Sequence, residues 1–300
     1  YTSVISPYVR FGELSPRSVY AAVVGRHRDK ARTFLRRLAW RDLAYWMLWK
    51  LPCMADEPIR PQYAEQWWAT NDQHLRAWQR GYTGYPLVDA AMRQLWTTGW
   101  MPNYMRHVVA GFLIEHLNLH WIHGEQWFHD TLVDADVAIN AYMWQNGGHS
   151  GVDQWNFVMH PVFAAKSCDP DGHFVRKWCP ELAKLPAEYI HCPWEAPLSM
   201  LASAGVALGR SYPRRVITDL EAGRKQALDA VIRVRQGVGK SFILPDGNER
   251  LRLPDGRMVR LITRVDYREM ANVPLTKQTA DETRDPRRRP RRDPMSVALA

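Results

Sequence analysis

The tryptophans are the most informative residues of this 300-residue sequence. All 14 of them lie between Trp40 and Trp194, and the 106 residues that follow Trp194 contain none. Large aromatic side chains supply much of the area that a protein core buries. The distribution therefore predicts one indole-rich core that ends near residue 236, followed by a different kind of structure.

Apolar residues in the tryptophan-rich part recur at intervals of three and four, which is the period of an α-helix. One such series is Leu35, Leu38, Ala39, Leu43 and Trp46. A second predicted helix begins at Pro86, since proline fits a first turn, and stops near Gly99. A last amphipathic helix is predicted over about residues 214–236. Strand-like alternation is scarce, so we predict an all-α fold with a helical domain over residues 1–236.

The chain after residue 236 has a different composition. Leu-Pro-Asp-Gly occurs at Leu244 and again at Leu253, and each copy is typical of a turn. Together with an apolar run at 258–262, these turns predict a short hairpin within an extension over residues 237–275. Residues 276–300 are polar and rich in arginine and proline, which predicts a disordered basic tail.

Charge, hydropathy and cysteine content bear on three classes of protein: DNA-binding, membrane-spanning and zinc-binding proteins. Six arginines against two aspartates in residues 284–294 account for four of the +9 net charge, and the remaining +5 or so permits DNA binding without requiring it. No apolar run approaches the roughly 20 residues of a membrane span. The four cysteines show neither a CxxC pair nor zinc-site spacing, so we expect no metal site and a reduced, intracellular setting.

One cluster of polar residues shares a helical face with an indole. Asp136, Asn140 and Trp144 are spaced at i, i+4 and i+8. Because Val133 and Val137 lie close by, we expect this stripe to be buried, where an unpaired carboxylate is costly. A polar heterocycle is one partner that the stripe would suit, and a set of internal salt bridges and helix caps is the other interpretation.

A second polar cluster follows Gly99. Asn103, Arg106 and His107 are spaced at i, i+3 and i+4 on one predicted helix. Arg106 is the expected counter-ion of Asp134, and this pair also fits either interpretation.

Several segments, in this order, resemble the FAD-binding domain of photolyases and cryptochromes. They are TSVISPYVRFGELSPRSVY, LAWRDL, TGYPLVDAAMRQLWTTGWMPN, LVDADVAIN and DPDGHFVRKWCPELAKLP. The resemblance covers roughly residues 1–236 and implies the helical fold of that domain, with FAD as the cofactor. It also implies that the N-terminal antenna domain of full-length members is missing, so we expect the chain to be a fragment.

The resemblance assigns roles to individual residues. The loop at residues 2–6 would wrap the FAD phosphates, Arg41 would face the cofactor, and Asp136 would accept from the flavin N3–H. Asn140 would face N5, as asparagine does in photolyases. The residues expected to bind FAD are Thr2, Ser3, Val4, Ile5, Ser6, Arg41, Asn103, Arg106, Asp134, Ala135, Asp136 and Asn140.

Three tryptophans match the family's electron-transfer positions. Trp144, Trp121 and Trp68 are separated by 23 and 53 residues, and the resemblance implies that they relay an electron to the light-excited flavin, with Trp68 at the solvent end. Any one of them taken alone is more typical of plain core packing.

The pocket that binds a DNA lesion in photolyases departs from the family pattern. Arg37 replaces a glutamate, Tyr104 an arginine, His107 a methionine and Asn146 a tryptophan, whereas Trp40 and Asn103 keep the family's identities. Exchange of a carboxylate for a guanidinium reverses the charge and the hydrogen-bonding pattern together. The amino-acid sequence of residues 144–161, at the rim of this altered pocket, most resembles that of plant-like and algal cryptochromes.

These departures favour a blue-light photoreceptor with an unidentified signalling partner. The alternative is a DNA photolyase that repairs pyrimidine dimers with an electron from reduced FAD, for which DNA would be the partner. A third hypothesis is a helical interaction domain that has lost its flavin. The sequence does not distinguish nucleus, cytoplasm and chloroplast.

Overall fold

The computed structural model describes residues 2–27, 31–155, 157–238 and 242–269. Its helices confirm the predicted all-α class, with one short hairpin besides them. The helices are α1 (Ser6–Arg10), α2 (Pro16–His27), α3 (Arg32–Lys50), α4 (Asp72–Arg80), α5 (Pro86–Thr98), α6 (Asn103–Gly111), α7 (Trp121–Thr131), α8 (Val137–Gly147), α9 (Pro161–Cys168), α10 (His173–Trp178), α11 (Ala187–Ile190), α12 (Leu198–Ala204), α13 (Leu220–Gly237) and α14 (Val265–Glu269).

Short helical turns join some of these helices. A π-helical turn, Phe112–His116, continues α6, and 3-10 turns span Pro52–Ala55, Pro61–Glu65, Pro180–Leu182 and Pro193–Glu195. No helix in the described ranges has the length and apolar content needed to cross a membrane. The predicted tail, residues 276–300, lies outside those ranges.

Helix α5 has the ends that the sequence predicted. Pro86 occupies its first turn, and the helix stops at Gly99, whose φ of +68° favours glycine. The loop before α5 is held by buried Asp89, which accepts the Thr83 N–H at 2.7 Å and the Tyr212 hydroxyl at 2.6 Å. Helices α5 and α6 and the π-helical turn all contribute to the largest apolar cluster of the core.

Helix α13 begins later than the predicted position near residue 214. Its first residue is Leu220, and the Asp219 side chain caps it by accepting the Ala222 N–H at 2.9 Å. The preceding segment is not helical because the Val216 N–H donates to the Thr83 carbonyl, at 2.9 Å. A tertiary hydrogen bond therefore replaces the first turns that the apolar pattern suggested.

A hairpin follows α13, with β1 (Glu249–Arg252) antiparallel to β2 (Met258–Leu261). The Glu249 side chain joins the hairpin to the helical body. Its carboxylate accepts from Arg60 at 2.5 Å, from Arg235 and from the Tyr63 hydroxyl at 2.8 Å. Both arginines are buried, so the extension is fixed to the body by charges that water does not reach.

Candidate functional site

The loop between α7 and α8 carries Asp134, the acidic member of the predicted ion pair. Arg106, on α6, donates from Nη2 to both carboxylate oxygens of Asp134, at 3.0 and 2.8 Å. The Asp134 side chain is only 4% exposed, and Arg106 also donates to the Met101 carbonyl at 2.9 Å. The predicted ion pair is present, and its charge-assisted hydrogen bonds engage both oxygens of the carboxylate.

Asp136 lies two residues further on and is buried. It caps α8 by accepting the Ile139 N–H at 3.2 Å, and it accepts the Tyr45 hydroxyl at 2.7 Å. Arg10 and Arg41 each have a guanidinium nitrogen 4.0 Å from the carboxylate. Helices α1, α3 and α8 therefore converge on one carboxylate.

Two residues of this cluster were missed from the sequence. Arg10 ends α1 and donates to the Ala135 carbonyl as well as facing Asp136. Tyr45 lies four residues after Arg41, on the same face of α3, and that spacing is the one sequence feature that pointed to it. Burial raises the pKa of Tyr45, and its bond to Asp136 raises it further.

Asn140 is buried and bonded to α7. Its amide nitrogen donates to the backbone carbonyl of Glu125 and to its carboxylate, both at 2.8 Å. Both N–H groups are therefore engaged, and contact with another acceptor would require them to leave Glu125. The stripe of Asp136, Asn140 and Trp144 is buried as predicted, but Val133 and Val137 are exposed, since α8 packs against α7 through its Asn140 face.

The loop at residues 2–6 has an unusual backbone. Val4 has a φ of +53°, and Ile5 after it has a φ of −91°. Adjacent residues with φ of opposite sign turn successive N–H groups to one side, an arrangement that binds anions. The side chains of Thr2, Ser3 and Ser6 are exposed around this loop. Asn103, at the start of α6, is also exposed.

The three predicted relay tryptophans lie along the α7–α8 interface. The Trp144 indole lies directly over Gly124 of α7, and the Trp121 indole lies over Gly148, just after α8. Both indoles are buried. The Ala69 N–H donates to the Asn118 carbonyl at 2.8 Å, which places half-buried Trp68 close to Trp121.

A histidine that the sequence did not single out lies between the last two tryptophans. The His120 ring centroid is 5.5 Å from that of Trp121 and 5.1 Å from that of Trp68. At the other end, Trp144 contacts the rings of Phe128 and Trp78, at 5.1 and 6.4 Å. Ring contacts therefore join Trp121 to Trp68 through His120, and Trp144 lies across the same α7–α8 interface as Trp121.

The predicted lesion pocket has a different lining from the one its sequence positions suggested. Asn146 is buried, and its side-chain oxygen accepts the Asp153 N–H at 3.0 Å, so it braces a loop. Trp155 packs over Gly147 instead, and a Cβ there would lie 3.0 Å from its indole. The Trp155 ring also contacts the His107 ring at 4.5 Å.

The remaining pocket residues surround these rings. Trp40 is half-buried with its ring 5.9 Å from that of Tyr142, and Arg37 is exposed on α3. Tyr104 packs at the edge of the main core. His107 Nδ1 is buried without a hydrogen-bond partner in the described part of the chain, so it is available to a bound ligand.

His107 is expected to titrate with a midpoint near 4. Burial, together with the charges of Arg37 and Arg106, lowers its pKa from 6.5 to about 4. The unfolded chain therefore takes up this proton at a higher pH than the folded chain does. The free energy of unfolding decreases as the pH falls from about 6.5 to about 4. NMR of ring-labelled histidine, assigned with His107→Gln, measures the midpoint. Replacing Arg37 with glutamine should raise it, and a wild-type midpoint near 6.5 would contradict the assigned environment.

A family model described as the FAD binding domain of DNA photolyase matches residues 34–233. The chain belongs to the photolyase/cryptochrome family. The deoxyribodipyrimidine photo-lyase of Agrobacterium fabrum is 42% identical over 241 residues, which cover 78% of this chain and 50% of that protein. Cryptochrome-2 of Arabidopsis thaliana is 35% identical over 268 residues, covering 83% and 44%.

A solved structure agrees with these relatives. The bacterial class III photolyase from Agrobacterium tumefaciens superposes with a TM-score of 0.73 at 41% identity, covering 78% of this chain and 50% of that one. The chain thus spans about half the length of the curated relatives it matches. Both the predicted family and its helical FAD-binding fold are confirmed.

The residues present fit the FAD of this family. Its phosphates require N–H donors, which the loop at residues 2–6 offers. Its ring system requires buried polar partners, and Asp134, Asp136 and the free Nδ1 of His107 are of that kind. No group of three or more histidines, cysteines or acidic residues in the described ranges could hold a metal ion.

Proposed function

We propose that this chain acts in a light-driven DNA photolyase, which repairs UV-induced pyrimidine dimers with an electron from reduced FAD. The sequence favoured a photoreceptor because the lesion pocket departs from the family pattern. Two findings support repair instead. The photolyase relative is 42% identical and the cryptochrome relative 35%, and the Trp155 indole contacts His107, one of the predicted pocket residues.

The position of Trp155 is the observation that carries the proposal. Its ring lies over Gly147, next to the residue that replaces the family's pocket tryptophan, and contacts His107 edge to face. Phe157 stacks on it at 5.9 Å, with the two rings nearly parallel. Enzymes that act on a base inside DNA flip it into a pocket and stack it on aromatic side chains. Trp155 would supply such a stacking surface from a position nine residues after Asn146, where the family has its tryptophan.

The other residues have complementary roles in this proposal. When bound, FAD supplies the light-driven electron. Asp134, Asp136 and Arg41 would hold and orient the ring system, and the loop at residues 2–6 would hold the phosphates. Trp144, Trp121 and Trp68 would carry electrons inward and keep the cofactor reduced. Arg37, exposed beside His107, would attract the phosphates that flank a lesion.

A blue-light photoreceptor is the second candidate, and Arg37 itself favours it. A guanidinium has no acceptor for the N–H edge of a thymine, so it does not replace the carboxylate of repair enzymes. In a photoreceptor the same tryptophan relay would serve signalling, and the pocket would be free to change.

A repair assay separates the two candidates. The FAD-loaded chain is reduced, mixed with thymine-dimer oligonucleotides, single- or double-stranded, and illuminated with blue light while the dimer is followed by absorbance. We expect repair in light and none in the dark. Trp155→Ala should weaken dimer binding about ten-fold or more, since stacking of a base on an aromatic ring contributes about 1–3 kcal/mol.

Trp96→Ala is the matched control, because Trp96 is an exposed indole stacked on Trp127 and not on the pocket. It should repair at the wild-type rate. Flavin that is photoreduced normally while no dimer is repaired would reject the photolyase and leave the photoreceptor.

A further inference from the structure

One face of the Trp68 ring is covered by His149. The two rings are stacked, with centroids 5.7 Å apart and planes within 2°. His149 is buried, and its φ of +73° is a conformation that non-glycine residues seldom adopt. Its carbonyl accepts from Arg60 and from Gln154, the latter at 2.8 Å. The surrounding structure therefore holds a strained residue where its ring meets the tryptophan.

A tyrosine of the extension also contacts this histidine. The Tyr267 ring, on α14, meets the His149 ring edge to face at 5.8 Å and is buried. It lies beyond residues 34–233, the part matched by the family model. From Trp121 the rings of His120, Trp68, His149 and Tyr267 follow one another, with each centroid 5.1–5.8 Å from the last.

We propose that Tyr267 is the terminal electron donor of the tryptophan relay, reached from Trp68 across the stacked His149 ring. The inference rests on the proposed light-driven electron transfer through Trp68. Oxidised Trp68 takes one electron from Tyr267 and returns to a neutral indole. Tyr267 loses its phenolic proton as it is oxidised, which leaves a neutral tyrosyl radical. Glu115, the ionised carboxylate that shares Arg264 Nη1 with the phenol oxygen, takes up the proton and becomes a neutral carboxyl group.

The groups around Tyr267 fit this coupled loss of an electron and a proton. Burial raises the pKa of Tyr267 well above its ordinary value, and Glu115 raises it further, so the side chain is a neutral phenol before oxidation. Burial alone would raise the pKa of Glu115, but His149 and Arg264 together lower it to about 2. Glu115 is thus an ionised acceptor at neutral pH.

One guanidinium links the donor and the acceptor of the proton. Arg264 Nη1 donates to Glu115 at 2.6 Å and to the Tyr267 hydroxyl oxygen at 3.3 Å. The Glu115 carboxylate oxygen and the Tyr267 hydroxyl oxygen are therefore hydrogen-bonded to the same nitrogen, Arg264 Nη1. Because Arg264 and Tyr267 both belong to the extension, docking of that segment completes the arrangement.

Tyr63 provides a matched control within the same structure. It is also buried, packs in the same small cluster as Tyr267, and anchors the extension by donating to Glu249 at 2.8 Å. It makes no ring contact with Trp68 or His149 among the described residues. A purely structural role for Tyr267 would make the two tyrosines equivalent, whereas a redox role would not.

Electron paramagnetic resonance of the illuminated, freeze-trapped FAD-loaded chain tests the inference. We expect a tyrosyl radical in the wild type, identified because ring-deuterated tyrosine changes its hyperfine structure. Tyr267→Phe should lose this signal and show a tryptophan radical, and Tyr63→Phe should keep it. Flavin absorbance and circular dichroism show whether each variant is folded.

Two results would overturn the proposal while leaving the relay intact. They are a tyrosyl signal that persists in Tyr267→Phe, and a wild-type protein that is photoreduced but carries only a tryptophan radical. The second needs no variant, so it stays decisive if Tyr267→Phe does not fold. A flavin that is not photoreduced at all would reject the proposed function and this inference together.

Discussion

Replacing Glu249 with alanine is expected to lower the free energy of unfolding by about 3–5 kcal/mol. The change removes the carboxylate between Arg60 and Arg235 and leaves two guanidinium groups buried with no opposite charge. It also removes the acceptor of the Tyr63 hydroxyl. Because both arginines belong to the helical body, the cost falls on the body as well as on the hairpin.

Chemical denaturation of the FAD-loaded chain measures this effect. Asp255→Ala is the control, since Asp255 lies in the same hairpin and its ion pair with Arg257 is exposed. That variant should unfold at the wild-type denaturant concentration. A Glu249→Ala variant as stable as the control would mean that water reaches the arginines, and that the extension is not fixed by buried charge.

The Glu249 carboxylate should also make the free energy of unfolding decrease at low pH. Burial raises the pKa of Glu249, but Arg60 and Arg235 outweigh this effect and bring the pKa below 4.5. Its contribution is therefore present above pH 4.5 or so and is lost as the pH falls through the folded-state pKa. Glu249→Ala should lack this part of the acid sensitivity.

The parts of the structure that follow local rules were predictable from the sequence. Pro86 and Gly99 mark the ends of α5 because a missing N–H suits a first turn and a positive φ suits glycine. Arg106 was expected to be the counter-ion of Asp134 because a buried carboxylate needs a partner, and the ion pair is present.

The parts that depend on distant segments were not predictable. Val216 lies outside α13 because its N–H donates to Thr83, more than a hundred residues earlier. The Trp155 indole packs over Gly147, and no local pattern in the sequence marks that contact. Tyr267 meets His149 only because the extension folds back onto the body.

Replacing Trp121 with phenylalanine is expected to slow light-driven flavin reduction at least about ten-fold, equivalent to about 1.4 kcal/mol in the barrier. Trp121 lies between Trp144, across the α7–α8 interface, and Trp68, which it approaches through His120. A phenyl ring fills most of the same space but is much harder to oxidise. FAD should stay bound, since the candidate cofactor residues Asp134 and Asp136 keep their partners.

Trp78→Phe is the matched control for this substitution. Trp78 is as buried as Trp121 and contacts Trp144, with its indole N–H donating to the Val109 carbonyl at 2.9 Å. It makes no ring contact with Trp68 or Trp121 in the described part of the chain. Loss of an indole there tests the effect of damaged packing without removing the proposed middle step.

The rate of flavin reduction under blue light shows whether the tryptophans carry electrons to the flavin, when an external reductant is present and FAD occupancy is matched by absorbance. We expect fast reduction in the wild type, nearly the same rate in Trp78→Phe, and slowing of at least about ten-fold in Trp121→Phe. Reduction of Trp121→Phe at the wild-type rate would contradict this expectation, because the electrons would then reach the flavin without the tryptophan relay.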